Sequence, residues 1–384
     1  MITVDEVIKI EELIEVYSEA FRLGYAGYSY QELRQIHQPY NSQIDANALY
    51  DARNFRKVVL KVHNYPRKLN PKPLLRMQDF TLNFMNNKVS IIYKPKNRLV
   101  LSIFPTEKQL KEISQAITKG ARLIKKNDKY FLNLTLEKEV QLPRWEECET
   151  IVGVDIGVNY IAVCSALLPN GRFTNPLFFH GGEWKHLCDR KRKITSFKEF
   201  KHITNRQHEI LHTVAKRIVE YAKQFPKPII VLERLGRFSN STWNKRWNFL
   251  LGNWARRKLQ YMVEYKAKWE GIPVVYVNSA YTSLYCHYCG SRGGRNGVIF
   301  KCSKCGRQYN ADANASMNIA KRFRQLLDDA TKRMTGEHSQ ADLSSAWEGE
   351  TCLPAQTHVQ PRNGRQMNGM MVTRTVSLPL GSGR

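Results

Sequence analysis

Hydrophobic periodicity divides the 384-residue chain into three regions. The first opens with apolar positions at helical spacing, Ile8, Ile10, Leu13, Ile14 and Tyr17, which predict a helix with one buried stripe. YSYQELRQIHQPY and NSQIDANALYDARNFRKVVLKV continue that period, so residues 1–77 read as helical. From residue 78 the period changes to two. VSIIYKPKNRLVLSIF forms two apolar runs around a basic turn, and DKYFLNLTLEKEV alternates apolar with polar, which predicts a β-rich region over 78–148, with Pro143 as its boundary mark.

Residues 149–333 follow a different order. IVGVDIGVNYIAVCSALLPNGRF predicts two strands around Gly157, and Pro169-Asn170-Gly171 turns into a third, RFTNPLFF. A long basic helical stretch runs from about 184 to 224, followed by the buried strand PIIVLERL. Trp243 to Trp269 is helical and basic, Gly271-Ile272-Pro273 ends it, and PVVYVN is another buried strand. The order β-β-β-α-β-α-β, then a cysteine-rich segment at 282–310, then a helix predicts a mixed α/β domain. Residues 334–384 carry no stripe and read as a mobile tail. The fold class is therefore a multidomain α/β and α+β chain.

Charge narrows the partner. A formal charge of +26 and a pI near 9.8 call for a polyanion, because neutralising phosphates releases counterions. Nucleic acid fits better than a membrane surface, since no apolar run is long enough to span a bilayer. The acidic, amphipathic start MITVDEVIKIEELIEVY is neither a signal nor a transit peptide. Cys148, Cys164, Cys188 and Cys352 are scattered, a reducing-compartment pattern. A cytoplasmic protein is expected, nucleoid-associated if prokaryotic.

Two groups of residues carry chemistry. Cys286/Cys289 and Cys302/Cys305 are Cys-x-x-Cys pairs twelve residues apart, the ligand set of a closed, structural Zn²⁺ ribbon, against which stands a reading as two redox-active pairs. His287, between the first two cysteines, is expected to be exposed rather than a ligand. Asp155 ends the apolar run IVGVD, Glu233 stands within IIVLERL, and Asp312 opens the helix DANASMNIAKRF. Carboxylates in apolar strands are costly unless paired or metal-bound, and several converging carboxylates holding Mg²⁺ are what metal-assisted phosphodiester hydrolysis needs. Each has a plainer alternative: Asp155 as a turn carboxylate at Gly157, Glu233 as a partner of Arg234 or Arg237, Asp312 as a helix N-cap. KHLCDRKRKITSFKEFKHITNRQH and WNKRWNFLLGNWARRKLQY interleave cations with aromatics, and Lys191, Arg192, Lys193, Arg246, Arg256 and Arg257 are candidate phosphate contacts.

VGVDIG, VLERLGRF and YTSLYCHYCG followed by FKCSKCGRQYNADANASMNIAKR together resemble the transposon-encoded TnpB (OrfB-type) proteins, RNA-guided DNA nucleases related to the type V CRISPR effectors. The resemblance covers about 150–325. It implies a RuvC-like, RNase H-type nuclease fold with an inserted zinc ribbon, Asp155, Glu233 and Asp312 as the metal-binding triad, the four cysteines on zinc, and guide RNA and double-stranded target DNA as partners. It also implies that the N-terminal half forms wedge and recognition domains. The chain departs from the pattern at Asn310, where the family has Asp, at Arg234, and in lacking the usual opening strand at 1–10. The alternatives are a catalytically degenerate RNA-guided DNA binder and an actin-like phosphotransferase, the latter leaving the cysteines, Asp312 and the charge unexplained.

Overall fold

The computed structural model describes residues 3–38, 40–62, 71–157, 159–234, 256–278, 281–335 and 370–381. The chain divides into two compact units, Met1–Glu139 with Met371–Arg384, and Val140–Met370.

In the first unit, α1 (Val4–Ala26) begins at a capping box, where Thr3 and Glu6 satisfy each other's backbone N–H groups. It ends at Gly27, whose φ of 115° suits a residue without Cβ. Its buried stripe is Ile10, Leu13, Tyr17, Ala20 and Phe21, whereas Ile8 is exposed. After α2 (Tyr30–Ile36) and α3 (Ser42–Val62), β1 (Leu74–Arg76), β2 (Phe80–Asn83), β3 (Lys88–Lys94) and β4 (Asn97–Ser102) follow. A short helix absent from the sequence reading, α4 (Glu107–Ser114), starts at a Thr106/Gln109 capping box. β5 (Ile117–Lys126) and β6 (Lys129–Val140) then form a long antiparallel hairpin.

In the second unit, β7 (Thr150–Asp155), β8 (Tyr160–Leu167) and β9 (Leu177–His180) are antiparallel neighbours. The single helical stretch expected over 184–224 is broken into α5 (Gly182–Lys193) and α6 (Phe197–Ala222). β10 (Pro228–Arg234), α7 (Arg256–Trp269) and β11 (Val274–Asn278) complete a five-stranded sheet ordered β11-β10-β7-β8-β9, parallel across its first three strands. A small antiparallel sheet of β12 (Gly293–Asn296), β13 (Ile299–Cys302) and β14 (Gln308–Asn310) precedes α8 (Ala311–Thr335).

The period of two in β7 and β10 decides which face each residue serves. Val152, Val154, Ile230 and Leu232 pack beneath α6 and α7 with Leu211, Ile218, Leu259 and Val263. Ile151, Ile229 and Val231 pack on the other face with Ile319, Ala320 and Phe323 of α8. Asp155 and Glu233 continue this second set, so both belong to the α8 face. Gly153 lies there too: a Cβ on it would stand 2.1 Å from the Ser316 carbonyl oxygen and 2.8 Å from the Ala320 nitrogen. The buried Ser165 and Ser316 hydroxyls, 2.7 Å apart, pin α8 to β8.

One expectation needs correction. Residues 370–380, assigned to a structureless tail, form β15 (Met370–Leu380), which joins the first unit's sheet in the order β1-β5-β6-β15. Val372, Val376, Leu378 and Leu380 are buried. Its C-terminal end is tied by Phe104 N–H to the Pro379 carbonyl and Gly381 N–H to the Ser102 carbonyl. The segment MVTRTVSLPL alternates exposed and buried positions, a period-two strand signal with no helical stripe. The first boundary also moves: β6 runs on to Val140, so the units part at 139/140 rather than 148.

Gly153→Ala is expected to lower unfolding free energy by about 1–3 kcal/mol, since backbone of α8 rather than a movable side chain meets the added methyl. Urea denaturation of the variant checks this; an unchanged midpoint would contradict the seating.

Candidate active site

Parallel pairing of β7 with β10 sets Val154 beside Leu232, so the next residues along, Asp155 and Glu233, stand side by side near the carboxyl ends of the two strands. In open α/β sheets the carboxyl ends of parallel strands border the ligand crevice. Here Asp155, Glu233 and Asp312 line one cavity of about 350 Å³, with Gly157, Asn159, Thr282, Ser283 and Arg295 among its other walls. A Cβ on Gly157 would stand 3.2 Å from the Tyr160 carbonyl oxygen and 3.7 Å from Asp312 Oδ2, so the glycine backbone lies close to both.

Asp312 arrives through its helix. Asn310 Oδ1 accepts hydrogen bonds from the backbone N–H groups of Asp312 (3.0 Å) and Ala313 (3.1 Å). Asn310 is therefore the N-cap, a role in which Asn and Asp are about equal, and the N-cap alternative for Asp312 falls. Its side chain instead turns to the cavity and pairs with Arg295 Nη2 at 2.9 Å.

Glu233 is held at both ends. Thr282 Oγ1 donates to its Oε1 at 2.5 Å, Arg256 Nη2 stands 3.8 Å from its Oε2, and Gln260 Nε2 donates to its carbonyl at 2.7 Å. Arg234 is not among these partners, and Arg237 lies outside the described residues. Burial, then the charges of Glu233 and Asp312, holds the Asp155 carboxyl well above the ordinary carboxylate range, with Arg256 and Arg295 pulling it back. Three acids sharing one cavity repel unless a cation lies among them.

The cysteine cluster is built by turns. Gly290 (φ 71°) and Gly306 (φ 67°) follow the two pairs in the left-handed region. The four sulfurs lie within 4.8 Å of one another, Cys286 to Cys305 at 3.8 Å and Cys289 to Cys302 at 3.4 Å. A tetrahedron with bonds of about 2.3 Å puts sulfurs about 3.8 Å apart, so the set fits a zinc ion. His287 is outside that set but is half-buried rather than exposed. Its ring packs 4.3 Å from Tyr309, and its backbone N–H and Nδ1 both face Asn314 Oδ1. Asn314, Asn318 and Lys321, spaced along α8, hydrogen-bond the carbonyls of Thr282, Tyr285 and His287.

The basic candidates separate. Lys191, Arg192 and Lys193 end α5 together. Arg257 is exposed at the start of α7, while Arg256 is partly buried against Glu233. Arg246 lies outside the described residues, as do Trp243, Trp247 and Trp254. Thr282 and Gln260 were not singled out by sequence reasoning; no spacing signal marks them, since both act across turns of chain.

Residues 257–319 match the family model described as Cas12f1-like, TNB domain. A TnpB-like protein of Aquifex aeolicus is 27% identical over 232 residues, 52% of this chain and 76% of that protein. The CRISPR-associated endodeoxyribonuclease Cas12f2 of a Micrarchaeota archaeon is 29% identical over 227 residues, 50% of this chain and 40% of that protein. A solved Cas12f1–sgRNA–target DNA complex aligns over 82% of each chain at 17% identity with a TM-score of 0.49. Over about half of its length the chain is similar to TnpB-like proteins and to Cas12f endodeoxyribonucleases. It spans less than half the length of the Cas12f2 relative it matches.

Without added divalent cation, Asp155→Asn is expected to be more stable than the wild type at pH values where the Asp155 carboxyl is ionised, because it removes a charge from beside two like charges. The sign follows from the raised Asp155 carboxyl. Its contribution to stability is fully present below its unfolded pKa and is lost as pH rises through its folded pKa, so the variant's advantage shrinks towards acid pH. Thermal melts at several pH values measure this; a variant less stable than the wild type where that carboxyl is ionised would contradict it.

Proposed function

We propose that this chain is an RNA-guided, metal-dependent DNA endonuclease with a single RuvC-like, RNase H-type site. One observation carries the reading: Asp155 and Glu233 stand near the carboxyl ends of adjacent parallel strands on the sheet face covered by α8, and Asp312 enters the same cavity from that helix. The net charge of +26 suits nucleic-acid partners, and relatives are named for endodeoxyribonuclease activity. Guide RNA and double-stranded target DNA are the proposed partners, with the N-terminal unit in the wedge and recognition role.

Asp155, Glu233 and Asp312 would hold the divalent cations. Magnesium there supplies an activated water and charge stabilisation at the leaving oxygen. Thr282 fixes which way Glu233 points. Arg295 lines the cavity from the ribbon hairpin, so a guanidinium suited to phosphate stands where the scissile phosphate must sit. Cys286, Cys289, Cys302 and Cys305 hold zinc as a structural ion. The ribbon they fold abuts Asp312 directly, since the Ala311 N–H donates to the Val298 carbonyl at 2.8 Å. The degenerate-binder alternative rests on Asn310 and on the unusual N-terminus; of these, the Asn310 side chain caps α8 and is not among the residues lining the cavity.

Asp155→Ala is expected to reduce magnesium-dependent cleavage of target DNA by at least about 1,000-fold while leaving RNA and DNA binding within a few-fold of wild type. Full cleavage by that variant would sink the assignment. Cys302→Ser is expected to lose bound zinc and activity together with ribbon folding. Metal analysis beside proteolysis of the ribbon checks this; a variant that keeps stoichiometric zinc would argue against the four-sulfur site.

A further inference from the structure

A large aromatic side chain left in water is informative when its surroundings are charged with one sign. Phe197 begins α6 with 80% of its surface exposed, and Phe200, one turn on, is 44% exposed. No core cluster of the second unit includes either ring. Between Asp189 and Lys201 six cations stand against two acids, Asp189 and Glu199. Arg190 pairs with Glu199 at 2.7 Å and Arg192 with Asp189 at 3.4 Å, so both acids are already engaged. Lys191 Nζ lies 4.5 Å from the centre of the Phe200 ring and 3.3 Å from Gln207 Oε1, which holds an ammonium over an aromatic face. Lys193, Lys198 and Lys201 complete the corner.

We propose that the α5–α6 corner is a stacking site for unpaired nucleotides, in which a base lies on Phe197 and the flanking lysines meet the adjoining phosphates. The chemistry favours this occupant over duplex or protein. A π face stacks on any base but only where the base is unpaired, and the cations supply sequence-independent affinity. The site is separate from the carboxylate cavity and does not depend on whether that cavity cuts.

The test uses the full chain, without divalent cation, and a fluorescent single-stranded DNA of about 16 nucleotides beside its duplex. Phe197→Ala is expected to weaken single-strand binding about tenfold, to leave the salt dependence of affinity as in the wild type, and to leave duplex binding unchanged. Lys193→Ala is expected instead to flatten the plot of log affinity against log salt by about 0.7. Phe197→Trp is expected to restore single-strand affinity and to add emission that the oligonucleotide quenches. Unchanged single-strand affinity in Phe197→Ala, or an equal loss on duplex, overturns the proposal. So does a wild-type protein that self-associates and becomes monomeric in Phe197→Ala with oligonucleotide affinity intact, which would assign the ring to a contact between copies. Loss of cleavage in Asp155→Ala bears on the nuclease reading alone, so the two fail separately.

Discussion

Close seating of α8 on β7 is the contact on which the rest of the second unit depends. Three carboxylates repel one another, so no local preference of Asp155, Glu233 or Asp312 would bring them together. The force comes from outside the cavity. Ile151, Ile229 and Val231 bury against Ile319, Ala320 and Phe323, and the absence of a side chain at Gly153 lets the helix backbone approach the strand. Apolar burial thus offsets electrostatic cost a few ångströms away, a division common at functional sites.

The ribbon belongs to that same seating. Asn314, Asn318 and Lys321 point from α8 to the carbonyls of the segment entering the first cysteine pair, while β14 runs directly into the helix at Asn310. Any shift of the ribbon is therefore a shift of Asp312. Thr282, on the same entering segment, places a hydroxyl on Glu233. The cysteines and the acids, far apart in chemistry, are mechanically one object.

What was legible in the sequence was what periodicity and charge cost reveal. IVGVD and IIVLERL show an acid within an apolar strand, whereas the face the two acids share follows from the strand register, which the sequence does not display. The cysteine spacing is equally explicit. Less legible was anything set by contacts distant in sequence. Thr282 and Gln260 matter because chain turns bring them to Glu233, and neither has a pattern of its own. The Thr106/Gln109 box at α4 was readable, but it lay within a region already read as strands. The half-burial of His287 has no local signal either, because Tyr309 and Asn314, distant in sequence, pack against its ring.

The β15 strand has a consequence for synthesis. The first unit's sheet needs a strand that follows β6 by 230 residues. At ribosomal speeds of about 5–20 residues per second, the edge of β6 waits roughly 10–50 s for its partner. During that interval a paired hairpin carrying Leu132, Leu134 and Leu136 presents an open strand edge, the geometry that recruits foreign strands. The second unit can collapse on the ribosome meanwhile, so the part of the protein encoded first finishes last.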